Sequence, residues 1–172
     1  MNAAVVSSFG AAPRYEEFPA PAAADDHDMV VDVIAAGLHP RVRSQADGSH
    51  YTSTGELPLV PGIDGVGRGE DGFLRYFILP DTRVGAMAEQ TVIDTRRSII
   101  LPSGSDPIAV AAAMNPAMST TREILAELPA LAQEITNGTF DIDARPTPLA
   151  DVEQAWADAA RTTQRIVLTP QP

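Results

Sequence analysis

Few side chains in this sequence are equipped for chemistry, and their types narrow the field at once. All twelve basic residues are arginines, and there is no cysteine. Schiff-base chemistry and a phosphate-cradling P-loop both need a lysine amine, so both are excluded. Without a thiol, disulfides, thiolate nucleophiles and cysteine-based zinc sites are excluded too. No G-x-S-x-G elbow is present to present a nucleophilic serine. What remains is a set of three histidines, with carboxylates and tyrosines in the same stretches. His39, Asp47 and His50 invite a metal reading. Their spacing has neither helical nor paired-ligand logic and nothing supplies an outer shell, so no metal site is expected.

A literal G-x-G-x-x-G also occurs, at Gly67, Gly69 and Gly72. As a dinucleotide fingerprint it requires a helix to begin directly after the glycines, so that the helix N-terminus faces the pyrophosphate. The residues that follow, FLRYFIL (73–79), have strand character instead. Glu70 and Asp71 would also set carboxylates beside the phosphates. The segment is therefore read as a hairpin turn.

The elements that must position these residues look β-rich. Asn2–Ser7 reads as a short strand, followed by a turn-rich connection through Pro13, Pro19 and Pro21. Met29–Ala36 is the clearest strand, dense in β-branched residues, with Val31, Val33 and Ala35 on one face. It ends at Gly37 and gives way to a polar loop, Leu38–Glu56. In 57–72, two prolines and dense glycine imply tight turns around a short strand. The Asp71-Gly72 pair predicts a hairpin into 73–79. Glu89–Asp94 and Ile99–Leu101 are further strands. Short segments at this spacing predict a barrel or sandwich.

Helical signals begin at about residue 106. Thr120 and Glu123 form a T-x-x-E capping box, and Ile124, Leu125, Leu128, Leu131, Ala132 and Ile135 make one apolar face. Asn137-Gly138 supplies the stop, while Pro129 is expected to kink or divide the helix. A second helix is expected to open with Thr147 as its cap and Pro148 at its first position. Leu149, Val152, Trp156 and Ala159 would be its buried face, and RIVLT (165–169) a closing strand.

Composition agrees with an ordinary globular protein. The 172 residues suffice for one core, 44% are hydrophobic and the mean hydropathy is -0.04. Fifteen prolines and twelve glycines favour short elements and many turns. A net charge of -11 disfavours nucleic acid as a partner, because its phosphates would be repelled. No apolar run reaches the ~20 residues that span a bilayer. The opening, MNAAVVSSFGAAPRY, lacks a charged n-region, so no signal peptide is expected and the default location is the cytoplasm.

Four stretches in collinear order resemble the medium-chain dehydrogenase/reductase superfamily, in its zinc-independent, quinone oxidoreductase-like form. AAGLHP (35–40) sits in the place of an A-x-G-V-N-P strand end, and PLVPGIDGVGR (58–68) resembles P-x-x-P-G-x-D/E-x-x-G. Residues 84–115 follow G-x-x-A-E, a strand, L-P and an alanine-rich helix. Residues 135–170 are similar to the family's C-terminal return, including a P-L-x-x-x-x-x-A segment. The resemblance implies an α+β, β-rich fold: a GroES-like, partly open β-barrel with a few peripheral helices and no Rossmann sheet. It also implies that the nucleotide-binding domain usually placed between these stretches is missing. The chain is then one catalytic domain in two segments, 1–119 and 120–172, joined near 118–121.

The activity implied for a complete relative is metal-free hydride transfer from NADPH to a quinone, an enone or a carbonyl. No cofactor is expected on this chain itself, which on this reading is inactive alone. His39 falls where such proteins often carry Asn; it either hydrogen-bonds or protonates substrate, or is a loop histidine satisfied by backbone. Tyr51 is either a proton donor to an oxyanion or a packing aromatic. Arg43, with Arg41, lies where it could reach substrate or a cofactor phosphate, or it is simply solvated. Asn115 would line the substrate cleft, or else cap or stay exposed. The alternative is a non-enzymatic module that uses the exposed cleft for partner binding or homo-oligomerisation. A third possibility is a nucleotide-binding domain supplied in trans.

Overall fold

The computed structural model describes residues 1–114 and 120–170. Asn115 and the first half of the expected junction, residues 118 and 119, therefore lie outside the described residues. The architecture is α+β: a seven-stranded, mostly antiparallel sheet, a separate two-stranded ribbon and a few helices. In chain order the strands are β1 (Asn2–Val5), β2 (Arg14–Glu17), β3 (Asp28–Gly37), β4 (Asp64–Gly69), β5 (Leu74–Ile78), β6 (Gln90–Asp94), β7 (Ser98–Ile100), β8 (Ala144–Pro148) and β9 (Arg165–Thr169). The α-helices are α1 (Pro40–Ala46), α2 (Pro107–Ala113), α3 (Thr121–Thr136) and α4 (Val152–Asp158). None of the described helices is long and apolar enough to cross a membrane.

The ten-residue β3 is the hub, because it changes neighbours along its length. On one side it pairs with β4, with a register shift between Val33 and Ala35. On the other it pairs first with β6, from Asp28 to Asp32, and then with β9, at Ala36 and Gly37. The large sheet runs β7-β5-β4-β3-β9-β8, with β6 as a branch on β3. Only β8 and β9 pair in parallel among the described strands. Two apolar clusters flank the sheet. One gathers Val31, Val33, Phe77, Met87, Ile93, Leu149 and Val152 against β1. The other sets Ala35, Val66, Tyr76 and Val167 beneath α2 and α3.

The hairpin reading of the glycine-rich stretch holds. β4 and β5 pair antiparallel, and Gly72 occupies the left-handed region at φ 79°. Asp71 grips Arg75 through two bonds of 2.7 and 2.6 Å, so its carboxylate is committed to the hairpin. The capping box is formed as the sequence predicts: Thr120 Oγ1 accepts from Glu123 N, and Glu123 accepts from Thr120 N.

Four expectations need correction. The helix α3 is not broken at Pro129. Proline deprives the carbonyl of Leu125 of its partner, but both residues face solvent, where water can take the bond. For the same reason Leu125, 52% exposed, is not part of the apolar face, which consists of Ile124, Leu128, Ala132 and Ile135. Thr147 and Pro148 do not start a helix. They end the edge strand β8, held in register opposite β9, and α4 begins at Val152 after a 3₁₀ turn. Finally, the polar loop after β3 contains the short helix α1.

Candidate functional site

At the end of β3 the backbone is set by local chemistry. Pro40 occupies the first turn of α1, and a residue before proline is pushed to extended geometry. His39 accordingly sits at φ -88°, ψ 156° as the N-cap of α1. Its side chain makes no capping bond, which frees the imidazole to turn inward. Gly37 makes the room: a Cβ there would lie 2.5 Å from His39 Nε2 and 2.8 Å from the carbonyl oxygen of Ala111. His39 is 6% exposed.

The group it meets comes from the next hairpin. Asp64 opens β4 directly after Pro61-Gly62-Ile63, where Gly62 adopts φ 116° and packs on the backbone of Ala86 and Met87. Asp64 Oδ1 lies 3.3 Å from His39 Nε2. Asp64 pairs with Ile78 and Val66 with Tyr76, so Asp64 and Tyr76 are diagonal neighbours on one face of the hairpin. The Tyr76 hydroxyl donates to Asp64 Oδ2 at 2.5 Å. Tyr76 and Asp64 are 0% and 1% exposed.

The electrostatics are correspondingly strong. Burial, and then the negative charge of Asp64, push the Tyr76 phenol well above its ordinary pKa, so it remains a donor across the working range. The His39–Asp64 contact is within ion-pair distance but is not aligned as a hydrogen bond, leaving Nε2 and Oδ1 facing each other without other partners. A buried polar atom without a partner costs about 1–3 kcal/mol. Two such atoms in apposition, inside an otherwise apolar layer, mark a place where more than stability has been served. The arrangement sets an imidazole nitrogen against a carboxylate oxygen, a pair of the types used in general acid–base chemistry.

The other sequence candidates lie elsewhere. Tyr51, 76% exposed, stacks on His50 with centroids 4.6 Å apart. Arg43 lies over the Trp156 ring at 5.8 Å and lines a hollow of about 340 Å³ with Asp47, Glu153 and Trp156. Asp47 accepts from Ser49 N and His50 Nδ1 contacts Thr52, so these two serve their own loop while His39 faces the core. No group of three metal-ligating side chains gathers among the described residues. Asp64 and Tyr76 were not singled out from the sequence. A polar residue in PGID and a tyrosine inside an apolar strand, on the two arms of the Asp71-Gly72 hairpin, were the available signal.

No family model matches the chain. It is 29% identical over 150 residues to the "Probable NADPH-dependent quinone reductase" of Emericella nidulans, an alignment covering 70% of this chain and 42% of that protein. In sequence the chain thus resembles a quinone reductase. Its fold is similar to those of solved quinone oxidoreductases. A quinone oxidoreductase from Thermus thermophilus, solved alone and with NADPH, superposes with a TM-score of 0.59 at 21% identity, covering 96% of this chain and 52% of that one. A quinone oxidoreductase from Coxiella burnetii reaches 0.79 at 14% identity, with 99% of each chain covered. The chain thus spans well under two thirds of the curated relative and about half of the Thermus enzyme. Gly67, Gly69 and Gly72 belong to the β4–β5 hairpin and no helix follows them, so this motif is not a pyrophosphate-binding turn.

Proposed function

We propose that this chain is the substrate-side domain of an NADPH-dependent, metal-free reductase of quinones, enones or carbonyls. The observation that carries the reading is the buried His39–Asp64–Tyr76 array at the end of β3, in a chain akin to a quinone reductase. On this reading the sheet is a partly open barrel of the GroES-like kind, built from segments 1–119 and 120–172. NADPH, held by a nucleotide-binding domain outside this chain, would supply the hydride. The chain's own part is to orient the substrate oxygen and to deliver the proton that neutralises the oxyanion, with His39 as donor. Tyr51 would be a second proton donor to the oxyanion, and Arg43 and Asn115 would bind substrate. Without a dinucleotide anchor the chain is inactive alone, and a soluble, cytoplasmic setting suits it.

Calorimetric titration with NADPH, beside turnover assays with 1,4-benzoquinone and an enone, tests this. The expected result is neither saturable heat nor turnover from the isolated chain. Saturable NADPH binding with turnover would refute the division of labour.

A second reading is favoured by one feature. A cavity of about 420 Å³ lies beside the C-terminal end of α2, lined by Ala113, Leu131, Phe140, Ile142 and Arg165 among others, and Phe140 is 49% exposed. A binding or self-association module would use such a surface. Sedimentation equilibrium separates the readings, since a concentration-dependent dimer abolished by Phe140→Asp belongs only to the module.

A further inference from the structure

Imidazole has two nitrogens, and the burial of one decides what the other can do. His39 Nε2 is lodged against Gly37 and directed at Asp64 Oδ1. It has no hydrogen-bond partner of its own, and neither has the facing oxygen. The second oxygen of Asp64 is already committed, because Tyr76 donates to it. Facing a carboxylate, the phenol donates, so the atom of residue 64 that it touches is an acceptor. The carboxyl group is thereby locked in orientation, with Oδ1 presented to the ring as an acceptor.

From this we infer that Asp64 and Tyr76 are positioning residues that fix the proton of neutral His39 on Nε2 and make Nδ1 the reactive nitrogen. An acceptor facing Nε2 favours the tautomer with hydrogen on Nε2, leaving the Nδ1 lone pair free. When the ring is protonated, the proton that can leave is the one on Nδ1. It passes to the oxyanion or enolate of the reduced substrate, the ring relaxes to the Nε2–H form held by Asp64, and water returns a proton to Nδ1. The last step rests on the reading of His39 as proton donor; the tautomer does not.

The lock makes an inversion testable. In Asp64→Asn, the Tyr76 hydroxyl still requires an acceptor, so the amide oxygen must turn to it. The amide NH₂ is then left facing Nε2, which must become an acceptor itself. The tautomer should invert to Nδ1–H. Adding Tyr76→Phe removes the requirement and lets the amide flip, restoring Nε2–H. Long-range ¹H–¹⁵N NMR of the uniformly labelled chain at a pH where His39 is neutral reads this directly, with His27→Gln and His50→Gln spectra assigning the three rings.

The expected pattern is Nε2–H in the native chain, a majority of Nδ1–H in Asp64→Asn, and reversion in the double variant. A burial role alone would not produce a reversal that depends on Tyr76. Nδ1–H in the native protein overturns the inference, as does an Asp64→Asn spectrum unchanged from native. Should Asp64→Asn fail to fold, the native tautomer together with that of Tyr76→Phe decides, since both must remain Nε2–H. Failure of the functional reading would appear instead as a His39→Gln variant with undiminished turnover in a reconstituted enzyme, leaving the tautomer result intact.

Discussion

Replacing Tyr76 by phenylalanine isolates one hydroxyl in the core. The ring that fills the layer between β5 and α2 is retained, so packing changes little. What is lost is a hydrogen bond to a buried carboxylate, a bond worth about 1.5–3 kcal/mol. Asp64 is then left with two buried oxygens and no donor, because Oδ1 has none in the native chain. The expected loss of stability at neutral pH is therefore about 2–3 kcal/mol. Urea unfolding followed by circular dichroism should show a lower midpoint at an unchanged slope. A second signature appears at alkaline pH. The folded-state pKa of Tyr76 is raised, so its contribution is fully present below the unfolded value of about 10 and is lost as pH rises through the folded value. In that window the unfolded chain releases a proton that the folded chain keeps, and stability should fall by about 1.4 kcal/mol per pH unit. Tyr76→Phe removes that slope. A destabilisation below about 0.5 kcal/mol, with alkaline limbs that run parallel, would refute a buried Tyr76–Asp64 bond.

Other perturbations address the surroundings of the site and the frame that holds it. Gly37→Ala puts a Cβ 2.5 Å from His39 Nε2 and 2.8 Å from the Ala111 oxygen; it should cost about 2 kcal/mol, with His39→Ala recovering only the part owed to the ring, as a double-mutant cycle in urea would measure. Thr120→Ala removes the reciprocal cap of α3 and should lower stability by about 1 kcal/mol, read by thermal unfolding. Pro129→Ala restores a backbone donor on an exposed helix face and should stabilise by about 1–2 kcal/mol; an unchanged midpoint would show that the helix was already adapted to the proline. Glu89 accepts from both amide groups of Asn2 at 2.8 and 2.9 Å, which holds its carboxyl below the ordinary range. Its contribution, about 1 kcal/mol after solvent screening, is present above pH ~4.5 and fades as pH falls through the lowered value, so Glu89→Gln should flatten the acid limb.

Much of the frame could be read from the sequence where one strong local rule applied. β-branched residues at alternate positions gave away β3, and Asp71-Gly72 located the β4–β5 turn. Thr120, Glu123 and Asn137-Gly138 marked the ends of α3. The elements that escaped are those whose existence depends on a partner. All four residues of β2 are exposed, so it carries no alternation and exists through its ladder with β1. The helix α1 is seven residues long and buries only Val42 and Ala46, too little for a periodic signal. β8 holds two prolines, which local rules assign to a helix start, whereas an edge strand tolerates them. At the site, His39 drew notice only through the resemblance of AAGLHP to a family strand end. Asp64 and Tyr76 did not, because their meeting is set by hairpin register and not by adjacency. Counting outward from a two-residue Asp71-Gly72 turn pairs 64 with 79 and 66 with 77, one residue away from the observed 64 with 78 and 66 with 76 that brings the two side chains together.

The change of neighbours along β3 also bears on how freely the chain between α2 and α3 can vary. β9 enters the sheet beside Ala36 and Gly37, so strands from distant parts of the sequence are joined by ladder bonds and not by their tether. The entropy lost in closing such a loop grows only with the logarithm of its length, about 0.6 kcal/mol for each doubling. Lengthening the connection between Met114 and Thr120 by an entire folded unit would thus tax the sheet by little more than a surface substitution does. One strand with divided allegiance makes the stability of this fold nearly indifferent to what is carried in the middle of its chain.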